Sequence, residues 1–381
     1  MKSVRSDGRR LVALDCRGLA WPGIGRYCRE LAAALPEVAP DLEFRWLCSA
    51  AQAEQLPRNE RAYPVVLRTA PISVGEQVEV VRALRRLGVG LLHAPASFTV
   101  PLLAPRLVVT VHDFILRRFP EFLPSLPGRA YHRMMNHLSI SRASKVITVS
   151  DFTRADVLRF WRGVAAKTHT IPNGVSAAFR PVRDASVLDR VRASQRLPEN
   201  FVLYIGTRKR HKNLVRLIEA YAGVPESLRL LNPLVLVTPP DPRYPEVEEA
   251  VRGAGIQESV LWRLPLADEE LPAVYSMARF LVLPSLMEGF GLPLLEAMAC
   301  GTPSLAARAG ALPEVGGEAS WYADPLDVAD LRRGLIRLME DAAVRKDLSE
   351  RGLLRVRSFD WRKTASEVAG LYREVLSSSP T

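Results

Sequence analysis

A chain of 381 residues with 48% hydrophobic content has enough apolar sequence for two globular domains, which excludes a disordered protein. Its formal net charge of +11 suits nucleic acid, an anionic membrane or a phosphorylated small molecule. No zinc-finger or RNA-recognition signature accompanies this charge, so we expect no nucleic-acid partner.

The N-terminal stretch and the cysteines indicate in which cellular compartment the protein is expected. The apolar run after the basic N-terminus is short and is interrupted by Asp15 and Arg17, so we predict neither a signal peptide nor a membrane span. The four cysteines show neither a CxxC pair nor the spacing of zinc ligands, which favours a reducing compartment. We expect a cytoplasmic protein.

Short apolar runs alternate with helical patterns along the whole chain. The first series of predicted strands occupies residues 11–15, 42–48, 89–93, 107–111 and 145–150. The second series occupies residues 201–206, 234–238, 259–261, 280–284 and 303–306. This rhythm predicts two doubly wound α/β domains.

Between the two series, an Asn-Gly turn and an irregular polar stretch predict a hinge near residues 175–185. We place the first domain at residues 1–178 and the second at 179–359. A helix that Asp360 opens, over residues 360–381, is expected to cross back onto the first domain. The active site of such a protein is expected in a cleft.

A strand–loop–helix segment over residues 280–301 is the most informative part of the sequence. Its helix is predicted to begin near Gly291 and to end at Gly301. A helix N-terminus offers free N–H groups and a positive dipole end, so it can hold a diphosphate, and glycines allow close approach of the ligand. The candidate ligand contacts are Ser285, Gly289, Phe290, Gly291 and Leu292.

Two glutamates stand eight positions apart in this segment, Glu288 in the loop and Glu296 in the helix. Glu288 can accept hydrogen bonds from sugar hydroxyls, and Glu296 can bind ribose hydroxyls. The alternative is an ordinary strand-to-helix turn with two solvated glutamates.

Two further places carry candidate residues. Gly23 and Gly25 lie between the first predicted strand and an apolar helix, where an ordinary turn is the alternative. His112, followed by Asp113, comes at the carboxyl end of the predicted strand 107–111, where open α/β sheets place their ligands. Neither has the serine or cysteine partner of a nucleophilic triad, and a structural histidine is the alternative.

The string from Glu288 to Glu296, with its flanking Pro-Ser and Cys-Gly-Thr-Pro, resembles the Glu-x7-Glu signature of glycosyltransferase family 4. Further motifs that match this family occur in the family's order at residues 23–27, 111–113, 147–150, 172–175, 204–207, 212–213 and 312–316. The resemblance therefore covers nearly the whole chain.

The resemblance implies a GT-B fold, in which two Rossmann-like domains face each other across a cleft. It implies that the first domain binds the acceptor, that the second binds a nucleotide sugar, and that a hexose is transferred with retention of anomeric configuration and without a metal. The motif variants resemble a mannosyltransferase-like branch that builds bacterial surface polysaccharides. GDP-mannose is therefore the first expected donor, a UDP-hexose the second, and a glycan or lipid-linked saccharide the acceptor.

The resemblance also implies roles for single residues. Lys212 takes the position of the family's diphosphate-binding lysine, in a loop that begins with Gly206 and Thr207. Arg208 or Arg210 is expected to supply a second positive charge, and the spacing does not decide between them. A basic surface turn is the alternative.

The other implied roles concern the donor sugar. The loop of Gly23 and Gly25 is expected to close over the donor phosphates and to meet the acceptor. His112 is expected beside the donor sugar, and Glu288 is expected to position that sugar. His112, Lys212 and Glu288 are thus the candidate catalytic residues.

Other functions stay open. An epimerase or phosphorylase acting on sugar nucleotides would share the predicted cleft, and a non-catalytic subunit would keep binding without turnover. Around residues 114–138, basic and apolar side chains predict either contact with an anionic membrane or a helix packed on its own domain. In the helical part, the predicted apolar face holds Tyr131, Met134, Met135 and Leu138, and the opposite face holds Arg129, His132, Arg133 and Asn136.

Overall fold

The computed structural model describes residues 10–73, 75–99, 103–123 and 125–378. The chain divides into two compact units, of which the first combines Met1–Gly174 with Asp360–Thr381 and the second is Val175–Phe359. Gly174, the last residue before this border, packs closely against the terminal segment of the first unit, because a Cβ at this residue would lie 2.2 Å from the backbone nitrogen of Trp361. The outer ends of the predicted first domain, residues 1–9 and 379–381, lie outside the described residues.

The first unit is built around a parallel sheet. Its described strands are β1 (Leu11–Asp15), β2 (Glu43–Cys48), β3 (Ala62–Val66), β4 (Leu91–Ala94), β5 (Arg106–Val111), β6 (Lys145–Thr148) and β7 (Thr168–Thr170). Its described α-helices, numbered along the whole chain, are α1 (Ile24–Val38), α2 (Glu76–Leu87), α3 (Ile115–Arg118), α4 (Leu126–Arg142), α5 (Asp151–Phe160) and α15 (Trp361–Ser377). The strands follow the order β3-β2-β1-β4-β5-β6-β7.

The central strand β1 is buried along its whole length, because helices cover both faces of the sheet. Val12 and Leu14 belong to one core cluster, which α1 and α15 complete, whereas Leu11 and Ala13 belong to another, which α2 completes. The near-continuous apolar sequence of this strand thus follows from its position in a sheet with two covered faces.

The terminal helix α15 belongs to the first unit. The Asp360 carboxylate accepts a hydrogen bond from the Arg362 backbone N–H at 2.8 Å and so caps the helix N-terminus. Farther along, the Tyr372 hydroxyl lies 2.5 Å from Nδ1 of His93 on β4, and Nε2 of His93 lies 2.8 Å from the Thr110 hydroxyl on β5. These buried polar contacts tie α15 to the sheet.

The second unit repeats the plan. Its described strands are β8 (Val202–Ile205), β9 (Leu234–Val237), β10 (Val260–Arg263), β11 (Phe280–Leu283), β12 (Ser304–Ala307) and β13 (Trp321–Ala323). Its described α-helices are α6 (Ala185–Gln195), α7 (Leu214–Ala222), α8 (Glu226–Leu231), α9 (Glu246–Gly253), α10 (Leu271–Met277), α11 (Leu292–Ala299), α12 (Leu312–Gly316), α13 (Val328–Glu340) and α14 (Ala342–Arg355). The parallel strands follow the order β10-β9-β8-β11-β12-β13.

Both sheets therefore reverse their strand order beside the first strand of the unit, between β1 and β4 and between β8 and β11. Both units are Rossmann-like, and the prediction of two doubly wound α/β domains is confirmed. In sheets of this kind, ligands bind beyond the carboxyl ends of the strands at such a switch point. The loops that follow β1, β4, β8 and β11 are therefore the candidate ligand-binding loops.

Three edge strands were absent from the sequence prediction. β3 contains Pro64, and β7 and β13 have only three residues each. Each of them lies at an edge of its sheet, where few neighbours reinforce the apolar pattern and where proline is tolerated. Short or proline-containing edge strands carry little of the signal that identifies interior strands.

Helix α4 differs from its predicted orientation. Its buried residues are Met135, Asn136, Ser139 and Ile140, whereas Met134, predicted on the apolar face, is 50% exposed. Asn136, predicted on the polar face, accepts a hydrogen bond from the Ser97 hydroxyl. A polar side chain can be buried once it is paired, so the apolar pattern alone gave the wrong face here.

Candidate functional site

The loops after β8 and β11 bring three predicted site residues together in the second unit. The ammonium nitrogen of Lys212 lies 2.7 Å from Oε1 of Glu288, and the Ser285 hydroxyl donates a hydrogen bond to the same oxygen at 2.7 Å. Lys212 lies in the 3-10 turn Arg210–Lys212, which follows β8, and the other two residues follow β11. The cluster therefore stands at the switch point of this sheet.

Backbone and amide contacts hold the two loops against each other. Asn213, in the left-handed conformation with φ of 61°, donates hydrogen bonds from Nδ2 to the carbonyl oxygens of Pro284 at 3.0 Å and Pro325 at 2.7 Å. The backbone N–H of Leu286 donates to the carbonyl oxygen of His211 at 2.8 Å. These contacts fix the position of Lys212 relative to the β11 loop.

The electrostatic state of Glu288 follows from this packing. Burial raises the pKa of the Glu288 carboxyl, but attraction to Lys212 and hydrogen bonds from Lys212 and Ser285 outweigh it, so the pKa lies below its usual range. The neighbouring His211 is buried, and this burial, together with the charge of Lys212, lowers its pKa to about 3. At neutral pH the cluster thus holds a carboxylate, an ammonium group and a neutral imidazole.

Gly310 supports the Glu288 loop and was missed by the sequence analysis. It has a φ of +60°, and a Cβ there would lie 2.6 Å from the backbone nitrogen and oxygen of Glu288. The next residue, Ala311, donates its N–H to the Glu288 carbonyl oxygen at 3.0 Å. A lone glycine after a strand is a weak signal, because its close neighbour is 22 positions away and only the fold brings the two together.

Helix α11 begins at Leu292, directly after Gly291, whose φ of 100° favours glycine. A side chain at Gly291 would also meet Leu312, with the Cβ 2.6 Å from a leucine methyl. Phe290 is buried with its ring 5.9 Å from that of Phe359, so its side chain serves the core. Gly289 is buried and Leu292 is half-buried.

Glu296 lies on α11 and is buried, with the Tyr275 hydroxyl donating a hydrogen bond to Oε2 at 2.9 Å. Glu288 is likewise only 8% exposed. The alternative of two solvated glutamates is therefore wrong, since both carboxylates are buried and paired. The binding of ribose hydroxyls by Glu296 stays a prediction.

The two arginines of the β8 loop have different surroundings. The Arg208 side chain is 5% exposed and its Nη1 lies 2.6 Å from Oε1 of Glu248, while the guanidinium carbon lies 4.4 Å from the centre of the Trp262 ring. The Arg210 side chain is 59% exposed and pairs with Glu246 at 3.0 Å. The structure thus buries Arg208 and leaves Arg210 at the surface.

Gly206 and Thr207 form the start of this loop. The Tyr204 hydroxyl donates to the Thr207 carbonyl oxygen at 2.7 Å. A Cβ at Gly206 would lie 2.7 Å from that hydroxyl, so the loop closes tightly over the end of β8.

In the first unit, Gly23 and Gly25 lie at the start of α1. Gly23 precedes the helix with a φ of 77°, and a Cβ at Gly25 would lie 2.0 Å from the carbonyl oxygen of Leu19. Both positions therefore require glycine, one for its backbone angle and one for close packing. The contact of this loop with donor phosphates and with the acceptor stays a prediction.

His112 follows β5 and is half-buried in the first unit. Burial lowers its pKa to about 4, against the opposing effect of a hydrogen bond with the backbone of Pro95, so the imidazole is neutral at neutral pH. Its ring lies edge-on to Tyr27 at 5.0 Å, and its Nε2 has no hydrogen-bond partner among the described residues. The Asp113 carboxylate accepts a hydrogen bond from the Ile115 N–H at 2.8 Å, which is a local turn contact.

Three broader features concern the described ranges as a whole. No group of three or more metal-ligating side chains occurs there. No described helix has the length and the apolar composition needed to span a bilayer. The four cysteines are buried, and no described pair of them forms a disulfide.

Solved structures place this pair of Rossmann-like units in a known fold class. Sucrose-phosphate synthase from Thermosynechococcus elongatus superposes with a TM-score of 0.79 at 24% identity, over 97% of this chain and 100% of that one. Anabaena Alr3699/HepE, solved in complex with UDP-glucose, gives 0.77 at 18% identity over 96% and 99% of the two chains. The fold is that of the GT-B glycosyltransferases.

Sequence comparisons supply the family. The model described as Glycosyltransferase Family 4 matches residues 21–179, and the one described as Glycosyl transferases group 1 matches residues 189–355. The O-antigen chain mannosyltransferase B of Escherichia coli is 31% identical, over 92% of this chain and 96% of that protein. The chain belongs to glycosyltransferase family 4, and the predicted glycosyltransferase activity is confirmed at this level.

Proposed function

We propose that the protein transfers a hexose, with mannose as the first candidate, from a nucleoside diphosphate sugar to a saccharide acceptor during bacterial surface polysaccharide synthesis. The observation that carries this proposal is the cluster of Lys212, Ser285 and Glu288 at the switch point of the second sheet. Glu288 lies four residues before α11 begins. Both the mannosyl group and the polysaccharide context follow the name of the Escherichia coli relative.

The chemistry requires stabilisation of the leaving diphosphate. When the bond between the anomeric carbon and the phosphate oxygen breaks, its electron pair leaves with the diphosphate, and the sugar gains positive character. Lys212 and the N–H groups at the start of α11 would stabilise the diphosphate charge. The buried Arg208 is the second cation that we assign to this task.

Glu288 is assigned to hold the donor sugar. Its carboxylate is ionised at neutral pH and already accepts hydrogen bonds from Ser285 and Lys212, so its remaining lone pairs can accept from sugar hydroxyls. Glu296 is assigned to the ribose. His112, neutral because of burial, would donate or accept a hydrogen bond through Nε2 beside the sugar.

We further propose that transfer retains the anomeric configuration and needs no metal. The acceptor hydroxyl would attack the face that the diphosphate leaves, and a departing phosphate oxygen would take the hydroxyl proton. One C–O bond forms, one C–O bond breaks, and the proton ends on the nucleoside diphosphate. Lys212 would supply the positive charge at the diphosphate that a metal ion supplies in other enzymes.

The donor is tested first. The purified chain is incubated with radiolabelled GDP-mannose or UDP-glucose and with α-mannoside acceptors, in the presence and absence of EDTA. We expect GDP-mannose to raise the apparent Tm more than UDP-glucose does, because a ligand that binds the folded state stabilises it. We also expect a new α-linked product, identified by its anomeric NMR coupling, with a yield that EDTA does not change.

The same assay separates the competing functions. An epimerised sugar nucleotide or a sugar phosphate as the product would replace transfer by epimerisation or phosphorolysis. Donor binding without turnover, in wild type and variants alike, would indicate a non-catalytic subunit. A β-linked product from an α-linked donor would overturn retention.

We also propose a cytoplasmic location with peripheral contact at the inner face of the membrane. On α4, Leu126 is 74% exposed and Met134 is 50% exposed, and Arg133 beside them is exposed as well. Exposed apolar side chains next to a cation suit an anionic bilayer surface. We expect the double change Leu126→Glu and Met134→Glu to abolish flotation with vesicles that contain phosphatidylglycerol.

The matched control for this flotation test is Leu354→Glu, which replaces a leucine of the second unit that is 62% exposed. It is expected to leave flotation unchanged. Absence of wild-type flotation at low salt would overturn the membrane proposal without affecting the proposed activity.

A further inference from the structure

A chain of four polar side chains links α1, β5, β4 and α15 in the first unit. The Tyr27 hydroxyl on α1 lies 3.1 Å from the Thr110 hydroxyl on β5, which also lies 2.8 Å from Nε2 of His93 on β4. Nδ1 of His93 lies 2.5 Å from the Tyr372 hydroxyl on α15. All four side chains are fully buried, so each needs its neighbour in the chain as a hydrogen-bond partner.

Tyr27 connects this chain to His112. The two rings are nearly perpendicular, at 87°, and their centres lie 5.0 Å apart. The Tyr27 ring also stands edge-on to the rings of His93, at 6.2 Å, and of Trp361, the first residue of α15, at 5.8 Å. Edge-to-face contact is a preferred geometry of aromatic pairs. A Tyr27 ring held by these contacts limits the rotation of the His112 imidazole.

The backbone at the start of α1 fixes the place of Tyr27. The Tyr27 N–H donates to the carbonyl oxygen of Gly23 at 2.9 Å, in the first turn of the helix. Gly25, two residues before Tyr27, packs against the carbonyl oxygen of Leu19, from which a Cβ would lie only 2.0 Å away. The turn that requires these two glycines therefore also places the tyrosine against His112.

The contacts of His112 decide which of its ring nitrogens carries the proton. The ring is hydrogen-bonded to the backbone of Pro95, and proline has no N–H, so the imidazole donates and the carbonyl oxygen accepts. Nε2 has no hydrogen-bond partner among the described residues, so the donating nitrogen is Nδ1. The neutral ring then keeps a lone pair on Nε2, which can only accept. Buried polar atoms are nearly always paired, so Nε2 lacks a hydrogen-bond donor.

We propose that Tyr27 is a positioning residue that holds His112 as the Nδ1-protonated tautomer, in which Nε2 accepts a hydrogen bond from a hydroxyl group of the donor sugar. This inference rests on the proposed function, because it takes a sugar hydroxyl as the missing partner. Through Thr110 and His93, the terminal helix α15 takes part in orienting His112. The sugar is also restricted, since neither a carboxylate nor a deoxygenated carbon can donate to Nε2.

NMR measures the tautomer directly. The full chain is labelled with nitrogen isotope in the imidazole rings of its six histidines, and His112→Gln assigns the signals of His112. We expect a protonated Nδ1 and an unprotonated Nε2 in the wild type, the reverse of the tautomer that free histidine prefers in water. Tyr27→Leu removes the ring and should lose this pattern. Tyr27→Phe keeps the ring and should retain it.

Kinetics with GDP-mannose measure the consequence for activity. Per folded protein, Tyr27→Leu should lower kcat by about tenfold or more, because a small displacement of a group beside the reacting sugar is costly. Tyr27→Phe should lower kcat by only about threefold, the scale of one lost hydrogen bond. The KM for the acceptor should stay unchanged in both variants.

Tyr221 on α7 is the matched control. It is as fully buried as Tyr27, and its hydroxyl lies 3.0 Å from the carbonyl oxygen of Asn232 and 3.1 Å from that of Ser259, in the second unit. Tyr221→Leu and Tyr221→Phe should lower the stability of the fold, but they should leave the His112 signals and the kcat per folded protein at wild-type values. Equal effects of the Tyr27 and Tyr221 variants on the His112 signals would contradict a positioning role.

Two NMR results would overturn the assignment of Tyr27. One is a wild-type His112 that carries its proton on Nε2, which needs no variant. The other is an unchanged Nδ1-protonated pattern in folded Tyr27→Leu. If that variant fails to fold, as judged by circular dichroism, Tyr27→Met takes its place, because a flexible methionine fills an irregular gap without supplying a ring.

Ligand addition separates this inference from the proposed function. GDP-mannose should shift the Nε2 resonance of His112, as expected when the lone pair receives a hydrogen bond, whereas GDP alone should not. The expected tautomer together with no response to, and no turnover of, any nucleotide sugar would overturn the proposed function and leave Tyr27 as the residue that holds His112. Turnover with the opposite tautomer would overturn the role of Tyr27 and leave the proposed function intact.

Discussion

The two units share one strand order but present opposite charge at their switch points. In the second unit, the loop after β8 carries Arg208, Lys209, Arg210 and Lys212, of which Lys212 pairs with Glu288 from the loop after β11. In the first unit, Arg17 faces the two carboxylates of Asp15 and Glu76. The same topology thus places loops of different charge at the switch point of each sheet.

The largest effect should come from the switch point of the second sheet, where Lys212 lies. We expect Lys212→Met to lower kcat by about 10²–10³-fold, the usual loss when one preorganised group that stabilises a developing negative charge is removed. The KM for the acceptor should change little. Steady-state assays with varied donor and varied acceptor measure both values.

Lys346→Met is the control for this change, because the Lys346 side chain is 79% exposed on α14. It should have wild-type kinetics. Equal losses for the two lysine variants, or a Lys212→Met variant that changes only the acceptor KM, would remove the contrast between the two switch points.

The second prediction concerns the charge of Glu288. Because the folded-state pKa of this carboxyl is depressed, its ionised form stabilises the fold above the unfolded pKa of about 4.3, and this stabilisation is lost as pH falls through the lower folded pKa. Glu288→Gln should therefore be less stable than wild type at pH 7, with the difference shrinking as the pH falls below about 4. Denaturant unfolding across this range measures the difference.

Activity of the same variant sharpens the comparison. Glu288→Gln keeps the side-chain shape but leaves Lys212 without its carboxylate, so we expect a loss of kcat larger than tenfold with an intact fold. Glu314→Gln, on α12, is the matched glutamate control and should keep full activity. A pH-independent stability difference would contradict the ion pair as the cause.

The sequence predicted the interior strands well and the polar cluster in part. Strands such as β1 and β11 were found because both faces are buried and the apolar runs are continuous, whereas β3, β7 and β13 carry too little pattern at the sheet edges. Lys212 and Glu288 were found because a recognisable string surrounds each of them. Their direct contact across 76 positions is visible only in the fold.

The acidic cluster shows the other limit of the sequence. Asp15 and Arg17 were interpreted only as charges that interrupt an apolar run, because Glu76, which completes their cluster, lies 59 positions from Arg17. Gly310 was missed for the same reason, because its close neighbour Glu288 lies 22 positions away in the sequence. Residues whose role depends on one distant backbone or side-chain neighbour leave no local pattern to interpret.

Gly310 provides the third prediction. Gly310→Ala would place a Cβ 2.6 Å from the Glu288 backbone at a φ of +60°, so we expect a loss of about 1–3 kcal/mol in the free energy of unfolding and a lower kcat. Gly253→Ala is the control, because nothing lies within 4 Å of a Cβ there and the residue ends α9. It should be neutral or slightly stabilising; equal effects of the two changes would contradict the packing argument.

The smallest effect concerns the buried histidines, which differ between the units in their neighbours. Burial, with the charge of Lys212, lowers the pKa of His211 to about 3 in the second unit, and burial, with His112 nearby, does the same for His93 in the first. A histidine whose folded pKa is depressed resists protonation, so the unfolded state binds more protons as pH falls below about 6.5, and stability declines. Each such group should contribute up to about 1.4 kcal/mol per pH unit between pH 6 and 4.

His93→Gln removes one of these titrating groups, and the pH dependence of unfolding should therefore be flatter than in wild type over that interval, whatever the loss of stability at pH 7. If the wild type and the His93 variant lose stability in parallel, the acid sensitivity belongs to other groups.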